Sequence, residues 1–183
     1  MAWLAAKVTT PPSGEPVSLA QVRQRLRIDA TDDDNDIESM IREARDHVER
    51  YCNLRLSPQV MELQCDSFGD FNRISVSPIR GLGAISYIDA TGLEQTLSSD
   101  VYELISPMDL EFAITLRRLR AWPQIESGSR ITVVVNAGFS DVPPAIRSAI
   151  YLHVAAGFEK REDAPDQGAT TFDRLLSNFR RSF

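Results

Sequence analysis

No apolar run in the sequence approaches the roughly 20 residues that a membrane span requires. The start, Met1-Ala-Trp-Leu-Ala-Ala-Lys7, lacks the charged leading region and the length of a secretory signal, so a protein made in the cytoplasm is expected. Cysteine occurs only at Cys52 and Cys65, in no Cys-x-x-Cys spacing; two buried free thiols are expected over a bridge or a metal pair. Histidine is limited to His47 and His153, neither with a cysteine or carboxylate at ligand spacing. A solvated His47 and a core-packed His153 are therefore preferred to metal or general-base roles. Gly81-Leu-Gly83 lacks the third glycine and the following helix of a phosphate-binding loop, and no Gly-x-Ser-x-Gly elbow occurs. No catalytic residue, cofactor or metal site is assigned. Lysine is confined to Lys7 and Lys160, and the formal net charge of -6 argues against a coat for nucleic acid, whose affinity comes mainly from neutralising phosphates.

What is present reads as a folded chain, because 43% of its 183 residues are hydrophobic and 25% are charged. Residues 1–17, with Pro11, Pro12, Gly14 and Pro16, suit an extended arm better than a packed element, with Trp3 and Leu4 as the residues that could dock. Ser18 and Gln21 form a capping-box pattern ahead of a short helix over about Leu19 to Arg27. A second, longer helix carries Ile37, Met40, Ile41, Ala44, Val48, Tyr51 and Cys52 on one stripe, with Asn53 as a left-handed cap. From Gln59 the period becomes two. Met61, Leu63 and Cys65 alternate with polar residues, Ile74 and Val76 suggest a short strand, and Gly81-Leu-Gly83 a flexible break. Ala84–Ile88 with Leu93–Leu97, and Tyr102–Ile105 with Phe112–Leu116, read as two hairpins.

Arg130-Ile-Thr-Val-Val-Val-Asn136 is a further strand, and after the turn at Ala137-Gly138-Phe139 the Pro143-Pro144 pair opens a helix to about Phe158. Its polar side is narrow, at Arg147, Ser148 and His153, so it should be buried within its subunit or between subunits. The fold class expected is α+β: a helical bundle of two N-terminal helices, a long buried helix and a C-terminal tail helix, with an antiparallel β region inserted at about residues 59–136. Residues 18–160 would form one domain, 161–170 a polar linker and 171–183 a tail.

Two clusters carry functional weight. Counting Asp32 as position 1 puts Asp34, Asp36 and Glu43 at positions 3, 5 and 12 of a calcium-loop pattern. Position 6 is Ile37 where that loop needs glycine, so the acids are read as capping the second helix and complementing its dipole. In the tail, Phe172, Leu175, Leu176, Phe179 and Phe183 form one helical stripe beside Arg174, Arg180 and Arg181. Such a stripe must pack either on the chain's own bundle or on a partner. The linker and arginine's suitability for interfaces favour the partner.

Several short motifs, in order, resemble the head-tail connector (adaptor) proteins of long-tailed phages and phage-derived gene transfer agents. They are the short first helix, the acid-capped second helix with Ala44, Val48 and Glu49, Tyr87-Ile-Asp-Ala-Thr-Gly92, Trp122-Pro123, Ala137-Gly138-Phe139, Val142-Pro143 and Leu175-Leu176-x-x-Phe179-Arg180. Phe179 departs from the expected tyrosine. The resemblance implies a structural virion protein forming a ring, a dodecamer, under the portal protein, extending the DNA channel and offering a platform to the next neck or tail (stopper) protein. By position, Phe172, Arg174, Leu175, Leu176, Phe179, Arg180, Arg181 and Phe183 would bind the portal, from a tail that is mobile until it docks. DNA would pass without specific binding, no membrane is involved, and the place is the neck of a phage-like particle assembled in the bacterial host cytoplasm. The alternatives are a stopper or tail-completion neck protein, expected to be more thoroughly β, and a small metal-regulated module or enzyme using the acid cluster.

Overall fold

The computed structural model describes residues 3–29, 31–159 and 171–181. Their elements run β1 (Lys7–Thr10), α1 (Leu19–Leu26), α2 (Asp34–Cys52), β2 (Gln59–Cys65), β3 (Ile79–Ile88), β4 (Glu94–Thr96), β5 (Tyr102–Met108), β6 (Glu111–Leu116), β7 (Ile131–Ala137), α3 (Pro144–Glu159) and α4 (Thr171–Leu176). The α+β class is as expected. The chain forms two compact units, one from residues 1–13 and 58–140, the other from 14–57 and 141–182.

The first unit is an antiparallel sheet of order β1-β2-β7-β3-β4 with a separate β5-β6 hairpin. The β2 and β7 sequences alternate, and the register aligns their apolar faces: Met61 opposes Val135, Leu63 opposes Val133 and Cys65 opposes Ile131, all buried. Phe68, Phe71, Ile85, Leu97, Tyr102 and Ile114 complete the same core. Trp122 stacks on Phe68, with ring centroids 4.7 Å apart, which explains a packing role for the Trp-Pro pair.

Three readings of this unit are corrected. The first residues are not a bare arm: β1 pairs with β2, and Trp3 stacks on Phe71 while its Nε1–H donates to the Arg73 carbonyl at 2.7 Å. An aromatic that finds both a stack and a backbone acceptor outweighs the prolines that follow it. Ile74 and Val76 are buried but form no strand. Ahead of them lies a 3-10 turn, Phe68–Asn72, and the Ile74 N–H donates to Phe112 O at 2.9 Å in place of a ladder. Gly81-Leu-Gly83 lies inside β3, with register shifts between Ile79 and Gly81 and between Leu82 and Ile85. A Cβ at Gly83 would come within 3.0 Å of Val134 Cγ1, so glycine here permits close strand approach.

In the helical unit, Ser18 and Gln21 make the reciprocal cap: Gln21 N–H donates to Ser18 Oγ at 3.2 Å and Ser18 N–H to Gln21 Oε1 at 2.9 Å. Helix α2 buries Ile37, Ile41, Ala44, Val48 and Cys52 and stops at Asn53, whose φ of 54° closes it in the left-handed conformation. Both thiols are free and buried. The buried side of α3 is Ile146, Ala149, Ile150 and Val154, but Leu152 is 43% exposed, so this helix is less enclosed than its sequence suggests.

Candidate partner-docking surface

The tail packs on its own helical unit. A 3-10 turn over Ser177–Phe179 follows α4, and beyond it the backbone N–H of Arg181 donates to the Cys52 carbonyl at 3.0 Å. Leu176 is fully buried, and the Cys52 thiol lies 3.9 Å from its carbonyl oxygen in donor geometry. Burial raises the Cys52 pKa to about 11, so this thiol is a packed apolar group and not a nucleophile.

Around α4 the contacts are aromatic. Phe172 meets His47 edge-on with centroids 5.0 Å apart, His153 at 5.7 Å and Tyr51 at 6.4 Å. The two imidazoles lie 5.4 Å from each other. The Arg180 guanidinium sits over the Tyr51 ring at 5.2 Å, a cation-π contact that secures the far end of the tail. His153 is held below its ordinary pKa, first by burial and then by His47, against the pull of Glu43 at 3.9 Å.

Of the residues expected to bind a partner, Phe172, Leu176, Arg180 and Arg181 are thus brought together on α2 and α3. Arg174 and Arg180 face solvent, Phe172, Leu175 and Phe179 are half-buried, and Leu176 and Arg181 are buried. Phe183 lies outside the described residues. The expected mobile tail is corrected for Thr171 to Arg181: the fold-back arrangement holds there, because Leu176 finds an apolar site beside Cys52. The sequence reading missed the receptor side of this contact, His47 and Tyr51. Their i,i+4 spacing puts them on one face of α2, but nothing in that spacing points to Phe172. His47 is exposed as expected, whereas His153 is only half-buried. Beside His47 and Tyr51 an open cleft is edged by Arg42, Glu43, Asp46 and Arg50.

At the acid cluster, Asp34 turns toward Arg23, Oδ2 to Nη1 at 3.3 Å, while Arg23 also donates to the carbonyls of Asp29 and Ile28. Asp34 and Asp36 occupy the first turn of α2, where they complement its dipole. Among the described residues, no group of three or more His, Cys, Asp or Glu is arranged to hold a metal ion.

The other motifs have local explanations. Asp89 caps the β3-β4 turn: Oδ1 accepts from Thr91 N–H at 2.8 Å and Leu93 N–H at 3.1 Å, and Gly92 takes a φ of 84°. The Thr91 hydroxyl and these amides bring its pKa down to about 2. Gly138, at φ 100°, turns the chain out of β7 and donates to the Pro78 carbonyl at 2.9 Å.

The class defined by this architecture agrees with the sequence comparison. Residues 16–77 match the family model described as phage gp6-like head-tail connector protein, so the resemblance to head-tail connectors is borne out. Among solved structures, the chain is similar to one in the virion of a native gene transfer agent (GTA) particle, with a TM-score of 0.79 and 22% identity over 98% of this chain and 97% of that one. It is also similar to chains in the neck of an empty GTA particle computed with C6 symmetry (TM-score 0.78, 21% identity) and the neck of a native GTA particle computed with C12 symmetry (0.77, 20%). These two matches likewise cover 98% of this chain and 97% of the other. No curated protein matches the sequence.

Proposed function

We propose that this chain is a structural head-tail connector that assembles as a ring in the neck of a phage-like particle, prolongs the DNA channel below the portal and presents a platform to the next neck component. The observation that supports this most is a conjunction. The α1-α2 segment carries the connector family's sequence pattern, and the fold as a whole is shared, nearly end to end, with chains of GTA necks. The ring is a dodecamer, its upper neighbour the portal protein and its lower neighbour a stopper or tail protein, and it assembles in the bacterial host cytoplasm. A net charge of -6 suits a channel component, because a negative wall repels phosphate and lets DNA slide without being held.

The tail is the portal-facing element of this reading. Leu176 and Arg181 anchor it to the helical unit, while Arg174, Phe179 and Arg180 form the outward side available to a partner. Repetition around a closed ring makes weak single contacts collectively strong. The test is mass photometry of the purified chain alone and mixed with the portal of the same particle. A discrete complex carrying many copies per portal supports the reading; a chain that stays monomeric and indifferent to the portal overturns it.

A further inference from the structure

The β5-β6 hairpin carries two exposed apolar tips that no intramolecular role accounts for. At one end, Met108 is 68% exposed beside Asp109, where β5 turns into β6. This tip is braced: Ser106 Oγ lies 3.0 Å from the carbonyl oxygens of both Met108 and Glu111 and donates its one O–H to either, Ser77 Oγ donates to Leu110 O at 2.6 Å, and Arg73 clasps the Glu111 carboxylate at 2.8 and 2.9 Å. At the other end, where Tyr102 opposes Leu116, a turn closed by Arg120 N–H to Arg117 O at 3.1 Å holds Leu119 at 95% exposure.

Leu119 has a φ of 62°, the left-handed region that turns at this position normally give to glycine or asparagine. A leucine there bears backbone strain and also holds its side chain in water, and strained backbone of this kind clusters at functional sites. Its turn is also fixed. Arg117 Nε–H donates to the Tyr102 carbonyl at 2.9 Å, and Arg120 pairs with Asp100. Arg118 is exposed. The charge excess is therefore positive at this end, where Arg117, Arg118 and Arg120 stand against Asp100 and Glu103. At the Met108 end it is negative, because Arg73 is taken up by Glu111 and Asp109 remains.

We propose that the Arg118–Leu119 turn of one copy docks on the Met108–Asp109 tip of the next, so that the hairpin supplies both halves of a head-to-tail contact between copies. A ring needs two different, mutually complementary patches on each subunit. Here each patch is an apolar side chain with flanking charge, and the signs are opposite. The occupant is a second copy because the chain carries both partners of the match. This inference rests on the ring reading and deepens it by naming a subunit contact.

The two tips are separated by the length of β6, six residues or about 20 Å at strand rise, so cysteines placed at them cannot bridge within one chain. The experiment uses the full chain, tagged, as wild type, Met108→Cys, Leu119→Cys and the double variant. Each is mixed with the portal, sized by mass photometry, oxidised mildly and run without reductant. The native thiols are buried and do not compete. The double variant is expected to give a ladder of tagged multiples of 20.5 kDa, and each single variant no species beyond a dimer. Charge reversal is the second readout: Arg118→Asp or Asp109→Arg alone weakens ring formation at least tenfold, and the two together restore it. A ring that forms normally but yields neither ladder nor charge rescue overturns this contact and leaves the ring reading standing. Absence of a ring for the wild type overturns both.

Discussion

His153 binds its proton less readily in the folded chain than in the unfolded one, because burial and the neighbouring His47 outweigh Glu43. Stability tied to this group is therefore full above the ordinary histidine pKa of 6.5 and is lost as pH falls below it toward the folded value. Thermal melts between pH 8 and pH 5 should show a decline in acid that His153→Gln flattens; equal slopes for wild type and variant would contradict the assignment. Leu176 is the tail's anchor, and replacing it with alanine should cost about 2–5 kcal/mol in a denaturant titration, as deletions at closed apolar sites do. A loss near zero would mean that the tail is not held there. The residues of the tail were legible as a stripe in the sequence, since apolar periodicity needs only the local chain. Their receptor was not. Nothing local in His47 or Tyr51 reveals that Phe172, more than a hundred positions away, comes to rest on them.

Elements with their own start and stop chemistry were the most readable. The Ser18–Gln21 box, the stripe from Ile37 to Cys52, the Asn53 cap, the prolines ahead of α3 and the alternation in β2 each depend on residues a few positions apart. Ser18→Ala should lower stability by about 0.5–2 kcal/mol, measured by denaturant unfolding, because α1 loses its N-cap acceptor. Asp89→Ala should speed amide hydrogen exchange across Glu94–Thr96 while leaving β2 and β7 protected, since the carboxylate organises only the β3-β4 turn; unchanged exchange in β4 would contradict that role. Less legible were elements that take their form from distant partners. Lys7–Thr10 is a strand because β2 offers an edge to it. Ile74 and Val76 have strand composition, but their neighbourhood is set by the Phe112 carbonyl and the aromatic packing of Phe68 and Phe71. Gly83 looked like a break because the sequence does not show how closely Val134 approaches.

At the scale of the whole molecule, fold class and connector resemblance were accessible from the order of short motifs. That residues 1–13 join residues 58–140 in one compact unit was not, because the pairing of β1 with β2 is encoded by no local pattern. The fold-back tail sharpens the expected division of labour. Arg174→Glu, at an exposed position, should weaken portal attachment at least tenfold in a pull-down or mass-photometry titration, with little change in melting temperature. Leu176→Ala should do the reverse at moderate temperature. Identical behaviour of the two variants would remove the distinction between anchor and docking face. The central claim is tested most directly by electron cryomicroscopy of the chain mixed with the portal of its own particle. The account predicts a closed ring of this chain stacked coaxially on the portal, with Arg174, Phe179 and Arg180 at the junction. A portal imaged bare at saturating concentrations of the chain, or the chain bound off-axis without ring closure, would contradict it.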